Sequence, residues 1–303
     1  MSPEKRFNRS PFFYVGDKYK LVRKIKKHFP KEINTFVEPF LGGGSVFLNI
    51  EARHYALNDI DKNIISLHKF LISQVAKEKG LMKRVRTMLE HYNLSRSVFE
   101  NVVPRALKKK WVKTYYAEFN RKGYGALKAD YNKTKKKDPL TLYLLLIYGF
   151  NRMLRFNKSG EFNIPVGNVD FNQNVLQALQ TYFSTVRDKD IKLYSQDFKK
   201  FIGSLRLKKN DFVYVDPPYL ISASEYNKFW GEKEEADLLE ILTGLNKLGI
   251  KFALSNITTY NGRKNEKLLA WMQDYNVFPI DSNYISYHDN TKKKITEVLI
   301  TNY

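Results

Sequence analysis

Apolar and polar positions divide the chain into short β-type runs and longer stretches of helical period. Thr35-Phe36-Val37-Glu38, Tyr55-Ala56-Leu57-Asn58 and Phe212-Val213-Tyr214-Val215 are compact and rich in β-branched or aromatic residues, and each is closed by Pro or Asp. Such runs read as buried strands. Further strands are expected at 191–195, 251–256, 276–280 and 295–301. A basic helical pattern covers 21–29 and stops before Pro30, because proline cannot continue a helix. A short apolar helix is expected at 46–50, helical period dominates from 66 to about 146, and helices are expected at 234–247 and 264–274. Strands alternating with helices predict an α/β fold built on a doubly wound sheet. Polar and apolar residues also alternate on either side of Asn157-Lys158-Ser159-Gly160, a β-hairpin signal. No internal repeat is visible, and low complexity is limited to short lysine runs.

Composition adds a partner to this picture. The 303 residues, 43% of them hydrophobic, are long for one core and fit a principal domain plus a smaller one or a large insertion. Lys and Arg number 52 against 31 acidic residues, a net charge of +21. That excess points to a polyanion, and counterion release from nucleic acid is the usual source of such affinity. A membrane surface is the competing polyanion, but the longest apolar stretch, 140–150, is too short to span a bilayer, and no signal-peptide core is expected at the N-terminus. There are no cysteines, which removes disulfides, thiolate zinc sites and cysteine nucleophiles. The five histidines (His28, His54, His68, His91, His288) lack ligand spacing and read as surface or core residues, so metal-free chemistry is expected. Residues 1–10 are polar and expected to be loosely held.

The candidate chemistry centres on Asp216-Pro217-Pro218-Tyr219. Two prolines end the preceding strand abruptly, so Asp216 and Tyr219 stand at a strand's carboxyl end, where open α/β sheets bind ligands. An acceptor carboxylate, the Pro217 carbonyl and an aromatic face suit a planar base with an exocyclic amine. A strand ending in a tight turn is the plain alternative. Earlier in the chain, Pro39-Phe40-Leu41-Gly42-Gly43-Gly44-Ser45 follows the first strand, and glycines admit a ligand close to backbone. Asp59 stands 17 positions after Gly42, where an acidic residue at the second strand's tip binds the hydroxyls of an adenosine ribose. The GxGxxG pattern is incomplete, because Phe47 occupies its third glycine. Adenosine without pyrophosphate fits better, favouring S-adenosylmethionine (SAM) over NAD. The loop Phe12-Phe13-Tyr14-Val15-Gly16-Asp17-Lys18 has an aromatic, a glycine turn and a lysine that could grip a ligand carboxylate. In the hairpin, Arg155, Asn157 and Lys158 could enter a DNA groove, Arg pairing with guanine and Asn with adenine.

Together these segments resemble the DNA adenine-N6 methyltransferases of the Dam type, the alpha group of amino-methyltransferases. The resemblance covers most of the chain in the family's order: Tyr14-Val15-Gly16-Asp17-Lys18-Tyr19, then Val37 through Phe47 with its glycines, and Leu57-Asn58-Asp59-Ile60. Arg155-Phe156-Asn157 with Gly160-Glu161-Phe162-Asn163-Ile164-Pro165 follows, then Asp216-Pro217-Pro218-Tyr219, Ser255-Asn256 and Thr296-Glu297-Val298-Leu299-Ile300-Thr301. The resemblance implies a Rossmann-like SAM-binding sheet formed by 1–70 and 169–303, with a mostly helical target-recognition domain at 71–168 that carries the hairpin. It implies that Tyr14, Lys18, Glu38, Phe40, Gly42, Gly44, Ser45, Asp59, Asp197 and Asp216 surround SAM, Asp197 near its adenine. It also implies that Asp216, Pro217 and Tyr219 act on the base, and that Arg155, Asn157, Lys158 and Pro165 meet DNA. At positions 14 and 17 the family usually has Trp and Gly, where this chain has Tyr and Asp.

The expected reaction is methyl transfer to N6 of a flipped adenine in double-stranded DNA, within GATC or a related GAT-containing site. A SAM-dependent enzyme acting on RNA or a protein amide, and an inactive DNA-binding relative, are the alternatives. A bacterial or phage-encoded protein working in the cytoplasm is expected, as a monomer or weak dimer, with a cognate restriction endonuclease as partner where it serves a restriction–modification pair.

Overall fold

The computed structural model describes residues 7–222, 230–281 and 295–303; His288 and residues 1–6 lie outside the described residues. In chain order the first elements are α1 (Val22–Lys26), β1 (Thr35–Glu38), β2 (His54–Asn58), α2 (Lys62–Ser73), α3 (Glu78–His91), α4 (Arg105–Lys110), α5 (Tyr115–Lys133), α6 (Pro139–Tyr148) and α7 (Gln173–Val186). They are followed by β3 (Asp190–Tyr194), α8 (Phe198–Ser204), β4 (Phe212–Val215), α9 (Glu232–Lys247), β5 (Lys251–Tyr260), β6 (Arg263–Lys264), α10 (Glu266–Trp271), β7 (Asn276–Ile280) and β8 (Ile295–Thr301). The chain divides into two compact units. The first gathers Met1–Tyr19, Gly42–Leu48 and Asp61–Asp188; the second gathers Lys20–Leu41, Asn49–Ile60 and Lys189–Tyr303.

The second unit is the α/β unit. Its sheet runs β3-β2-β1-β4-β5-β8-β7, with β6 paired to β5. Strands β1 to β5 pair parallel, and β8 runs antiparallel to both its neighbours. The result is a doubly wound, mostly parallel, Rossmann-like sheet whose strand order reverses between β1 and β4, the place where such sheets bind ligands. Period-two side-chain placement builds both faces. In β4, Val213 and Val215 join the cluster made by Val37, Phe252, Leu254, Leu238 and Leu242. The alternate residues, Phe212 and Tyr214, meet Phe29 at 4.8 and 5.3 Å between ring centroids. All four β4 residues are buried, which is why this strand reads as an uninterrupted apolar run.

The first unit is helical. Helix α6 is buried on nearly every side, as expected of a helix apolar all round. Asp138 caps its start by accepting from Leu140 N and Thr141 N, and Pro139 fills the first turn. No helix among the described residues is long and apolar enough to cross a membrane.

Three local expectations change. The helix expected at 46–50 is a single 3-10 turn, Phe47–Asn49, and this turn buries the Phe47 ring against Gly44. The basic helix expected at 21–29 spans only Val22–Lys26 and closes in tight turns from His28 N to Ile25 O and Phe29 N to Lys26 O. Strand β5 continues past residue 256 to Tyr260, because β8 pairs along it to Ile295.

Candidate active site

The sheet's carboxyl edge is built from the ends of β1, β2 and β4. Asn58, 1% exposed, ties it together: its side-chain amide donates to the carbonyls of Pro39 and Gln196, each at 3.0 Å, and its Oδ1 accepts from Gln196 N. The chain turning out of β1 is anchored by Leu41 N on Asn58 O at 2.8 Å. Glu38 is buried at the end of β1, and Asp59 is half-buried at the end of β2, followed by Ile60, an apolar side chain 68% exposed. Phe40 sits in an aromatic triangle with Phe198 and Trp230, with ring centroids 5.4 and 5.5 Å away. Asp197 caps α8, accepting from Lys199 N at 3.0 Å.

Asp216 follows β4 directly and is half-buried, with Pro217 buried behind it. The Tyr219 hydroxyl donates toward Asp216 Oδ1 at 3.0 Å and Glu297 Oε1 at 3.2 Å. The short loop is fixed from the other side by Ser222, whose N and Oγ both donate to Tyr219 O. Beneath it the Tyr214 hydroxyl meets Ser255 Oγ at 2.9 Å. Burial, and then the negative charge of Asp216, holds the Tyr214 phenol well above its ordinary range.

The remaining cofactor candidates fall in the first unit. Tyr14 packs flush on the glycine loop: a Cβ on Gly43 would stand 2.8 Å from Tyr14 Cβ. Gly44 has φ +73°, and a Cβ there would come within 2.4 Å of the Phe47 ring, so both size and backbone demand glycine. Ser10 Oγ donates to Gly43 O. His68 Nε2 lies 3.0 Å from Gly42 O and its Nδ1 3.1 Å from the Tyr182 hydroxyl. A carbonyl only accepts, so Nε2 carries the proton and Nδ1 accepts. Burial pushes this imidazole down to about 4, which makes it a neutral core histidine. Gly16 takes the left-handed turn at φ +80°, and Asp17 needs no positive φ, so the carboxylate at position 17 costs no backbone strain. Instead it accepts from Tyr19 N at 3.1 Å, while burial pushes its pKa up. Lys18 is buried, at 5% exposure, and Ser45 at 3%.

The hairpin is held by one isolated bridge, Phe156 to Phe162, and by Asn157 N to Glu161 O and Asn163 N to Arg155 O. Arg155 Nε donates to Asn163 Oδ1 at 2.9 Å. Asn157 builds the turn: its Oδ1 accepts from Ser159 N and Glu161 N and its amide donates to Glu161 Oε2. Lys158 is exposed at the tip, and Pro165 O accepts from Phe150 N at the base.

Sequence reasoning missed Ser10, Trp230, Glu235, Arg152 and the role of Glu297. Glu235 is fully buried and accepts from Trp230 Nε1, Asn256 Nδ2 and Asn265 Nδ2. A signal did exist for Glu297, the one acid in β8, just before the apolar run Val298-Leu299-Ile300. Arg152 offers none, because its importance lies in φ +49° and in its stacking 4.2 Å over Phe13.

The chain is 35% identical to the type II methyltransferase M.FokI of Planomicrobium okeanokoites, over 97% of this chain and 43% of that protein. It is 33% identical to the modification methylase StsI of Streptococcus sanguinis, over 100% of this chain and 44% of that protein. The chain thus spans less than half the length of these two relatives. It is also 29% identical to the DNA adenine methylase of Escherichia coli (strain K12), over 96% of this chain and 94% of that protein. Residues 14–285, which include both the strand-end carboxylates and the hairpin, match one family from end to end, and the chain belongs to it: the D12 class N6 adenine-specific DNA methyltransferases.

Proposed function

We propose that the chain transfers a methyl group from SAM to N6 of an adenine flipped out of duplex DNA, within GATC or a related GAT-containing site. The observation that carries this reading is Asp216 at the carboxyl end of β4, beside the switch point of the sheet, with the Tyr219 hydroxyl 3.0 Å from its Oδ1. The donor set of the second unit suits SAM. Glu38, Asp59 and Asp216 are carboxylates at three strand ends, which favours a cationic sulfonium over a pyrophosphate. Asp59 would hold the ribose hydroxyls and Asp197 would lie near the adenine, with Glu38 and Phe40 completing the sheet's contribution. Tyr14, Lys18, Gly42, Gly44 and Ser45 are assigned to the same cofactor by the family resemblance. SAM, when bound, supplies an electrophilic methyl group.

The chain's own residues do the rest. Asp216 and the Pro217 carbonyl accept the two hydrogens of the adenine amine, which favours a pyramidal nitrogen with a directed lone pair. An ordinary carboxylate is too weak a base to deprotonate a neutral amine first. Asp216 therefore orients the amine and stabilises the positive charge that develops, and the proton leaves after transfer. The Tyr219 ring gives the flipped base a stacking face.

For DNA, the reading rests on the helical region at 71–168 as a target-recognition domain between catalytic segments 1–70 and 169–303. Helix α4, which buries none of its residues, and the exposed Trp111 beside it offer cations and an aromatic surface. Lys158 stands at the hairpin tip presented by the Asn157 turn, and Arg155 keeps guanidinium donors for a guanine edge. A restriction endonuclease of the same site would be the functional partner in a modification system. The test is single-molecule sequencing of DNA from a methylation-free bacterial host expressing the protein. N6-methyladenine in one fixed context is expected, and an unmodified genome with soluble protein present would overturn the reading. Arg155→Ala should relax that context, costing about 1–3 kcal/mol of discrimination; equal losses on cognate and random DNA would instead make Arg155 a phosphate contact.

A further inference from the structure

The direction of β8 has a chemical consequence. Strand β8 is antiparallel to β5, with Glu297 opposite Ile257, so the beginning of β8 reaches the same edge of the sheet at which the parallel strands end. Glu297 is thereby delivered to the loop after β4 from two strands away. Its side chain is buried, at 2% exposure, and its Oε1 lies 3.2 Å from the Tyr219 hydroxyl. The same hydroxyl lies 3.0 Å from Asp216 Oδ1.

One phenol proton thus faces two carboxylates, and it can point squarely at only one of them. The orientation matters for the reaction proposed above, on which this inference rests. A hydroxyl pointed at Asp216 competes with the adenine amine for the same acceptor. A hydroxyl pointed at Glu297 leaves Asp216 to the amine, and does so without stranding a buried donor, which would be costly.

We propose that Glu297 is a positioning residue for methyl transfer: it is the alternative acceptor that draws the Tyr219 hydroxyl away from Asp216 when the flipped adenine arrives. The burial of Glu297 fits this role. A buried carboxylate is a strong acceptor because little water competes for it, and the hydroxyl can turn between two oxygens without moving the ring on which the base stacks. The exchange needs no proton transfer. The O–H bond stays intact, one hydrogen bond replaces another, and Asp216 remains a carboxylate throughout.

The test is a double-mutant cycle on the full chain, read as kcat for methyl transfer to an adenine-containing duplex, with the SAM KM and the melting temperature recorded for each variant. Glu297→Gln keeps the shape but offers a neutral acceptor, which competes poorly with the charged Asp216. It should lower kcat by roughly 10–100-fold, with the SAM KM little changed. Tyr219→Phe removes the hydroxyl and so removes the competition; it should lower kcat by no more than about tenfold. In the Tyr219→Phe background, Glu297→Gln should then have almost no further effect. Equal factors in the two backgrounds would overturn the inference while leaving the proposed function intact. Loss of all turnover in Tyr219→Phe would also overturn it, since the hydroxyl would then be needed for chemistry; this arm decides the matter even if Glu297→Gln fails to fold. A wild-type chain that transfers no methyl group to DNA would overturn the proposed function, and this inference with it.

Discussion

The carboxyl edge of the sheet and the loop region around Phe13 hold their functional candidates by opposite means. At the sheet edge, Glu38 ends its strand, Asp59 and Asp216 follow directly from theirs, and none needs a positive φ. The ladder fixes their backbone, and Asn58 locks adjacent strand ends. In the first unit, Phe13, Asn151 and Arg152 are all non-glycine residues in the left-handed region, at φ +48°, +52° and +49°. Such residues are unfavourable unless their surroundings hold them. Here the guanidinium groups of Arg9 and Arg152 lie over the Phe13 ring, 4.5 and 4.2 Å from its centre. Phe12 next to it packs edge-on against His68, Tyr143 and Tyr182. Arg152 Nε is buried without an acceptor among the described residues, and burial, with Arg9 nearby, brings its pKa down to about 10. One region is positioned by backbone hydrogen bonds and the other by side-chain packing. Substitutions at the first should therefore damage chemistry more than stability, and substitutions at the second should do the reverse.

The largest expected effect tests the first half of that contrast. Asp216→Ala should lower methyl transfer by at least about a thousandfold, the scale of losing a positioned charge-stabilising group, while its melting temperature and DNA affinity stay near wild type. A melt that collapses along with the activity would show that Asp216 also holds the loop together.

The second half is tested by acid. His68 is neutral in the folded chain, with a pKa of about 4 against an ordinary 6.5. As pH falls below about 6.5 the unfolded chain takes up the proton first, so stability present above that pH is lost progressively down to about 4. For this fully buried group the loss is on the order of 3 kcal/mol. Urea titrations at pH 7 and pH 4.5 should show the gap between wild type and His68→Gln shrinking by an amount of that order. A gap independent of pH would assign the acid sensitivity to other groups.

Asp59→Ala returns to the sheet edge. Calorimetry should show SAM binding weakened by about 1.5–3 kcal/mol, the value of hydrogen bonds to a charged group, with little change in the melt; an unchanged affinity would remove the ribose contact. The smallest effect sharpens the comparison most. Arg152→Gly and Arg152→Ala both lose the stacking on Phe13, worth about 0.5–2 kcal/mol, but only glycine relieves the left-handed backbone. The glycine variant should therefore be the more stable of the two by about 1 kcal/mol. Equal melts would mean that the backbone at 152 stores no strain.

Much of the sheet was legible in the chain. The strands at 35–38, 212–215, 276–280 and 295–301 appear with the bounds their patterns predict, because buried strands are short apolar runs punctuated by Pro, Gly and Asp. Their tips were legible for the same reason: Glu38 and Asp216 are the first polar residues after apolar ones, and Asp59 comes one position later, directly after Asn58. The 46–50 segment was misread because its apolar residues serve a turn rather than a helix face. The hairpin was legible as an alternation, but not the fact that Asn157 spends its side chain on the turn.

The sequence by itself determined the α/β class, the strand tips and the acids placed on them, since side-chain periodicity and chain punctuation are local and survive in one dimension. Only the tertiary structure decided which distant groups meet. Glu297 reaches Tyr219 across 78 positions because β8 runs antiparallel, and Arg152 reaches Phe13 because packing tolerates a backbone that the residue alone disfavours. Register and strand direction are properties of the whole chain, and no local pattern encodes them.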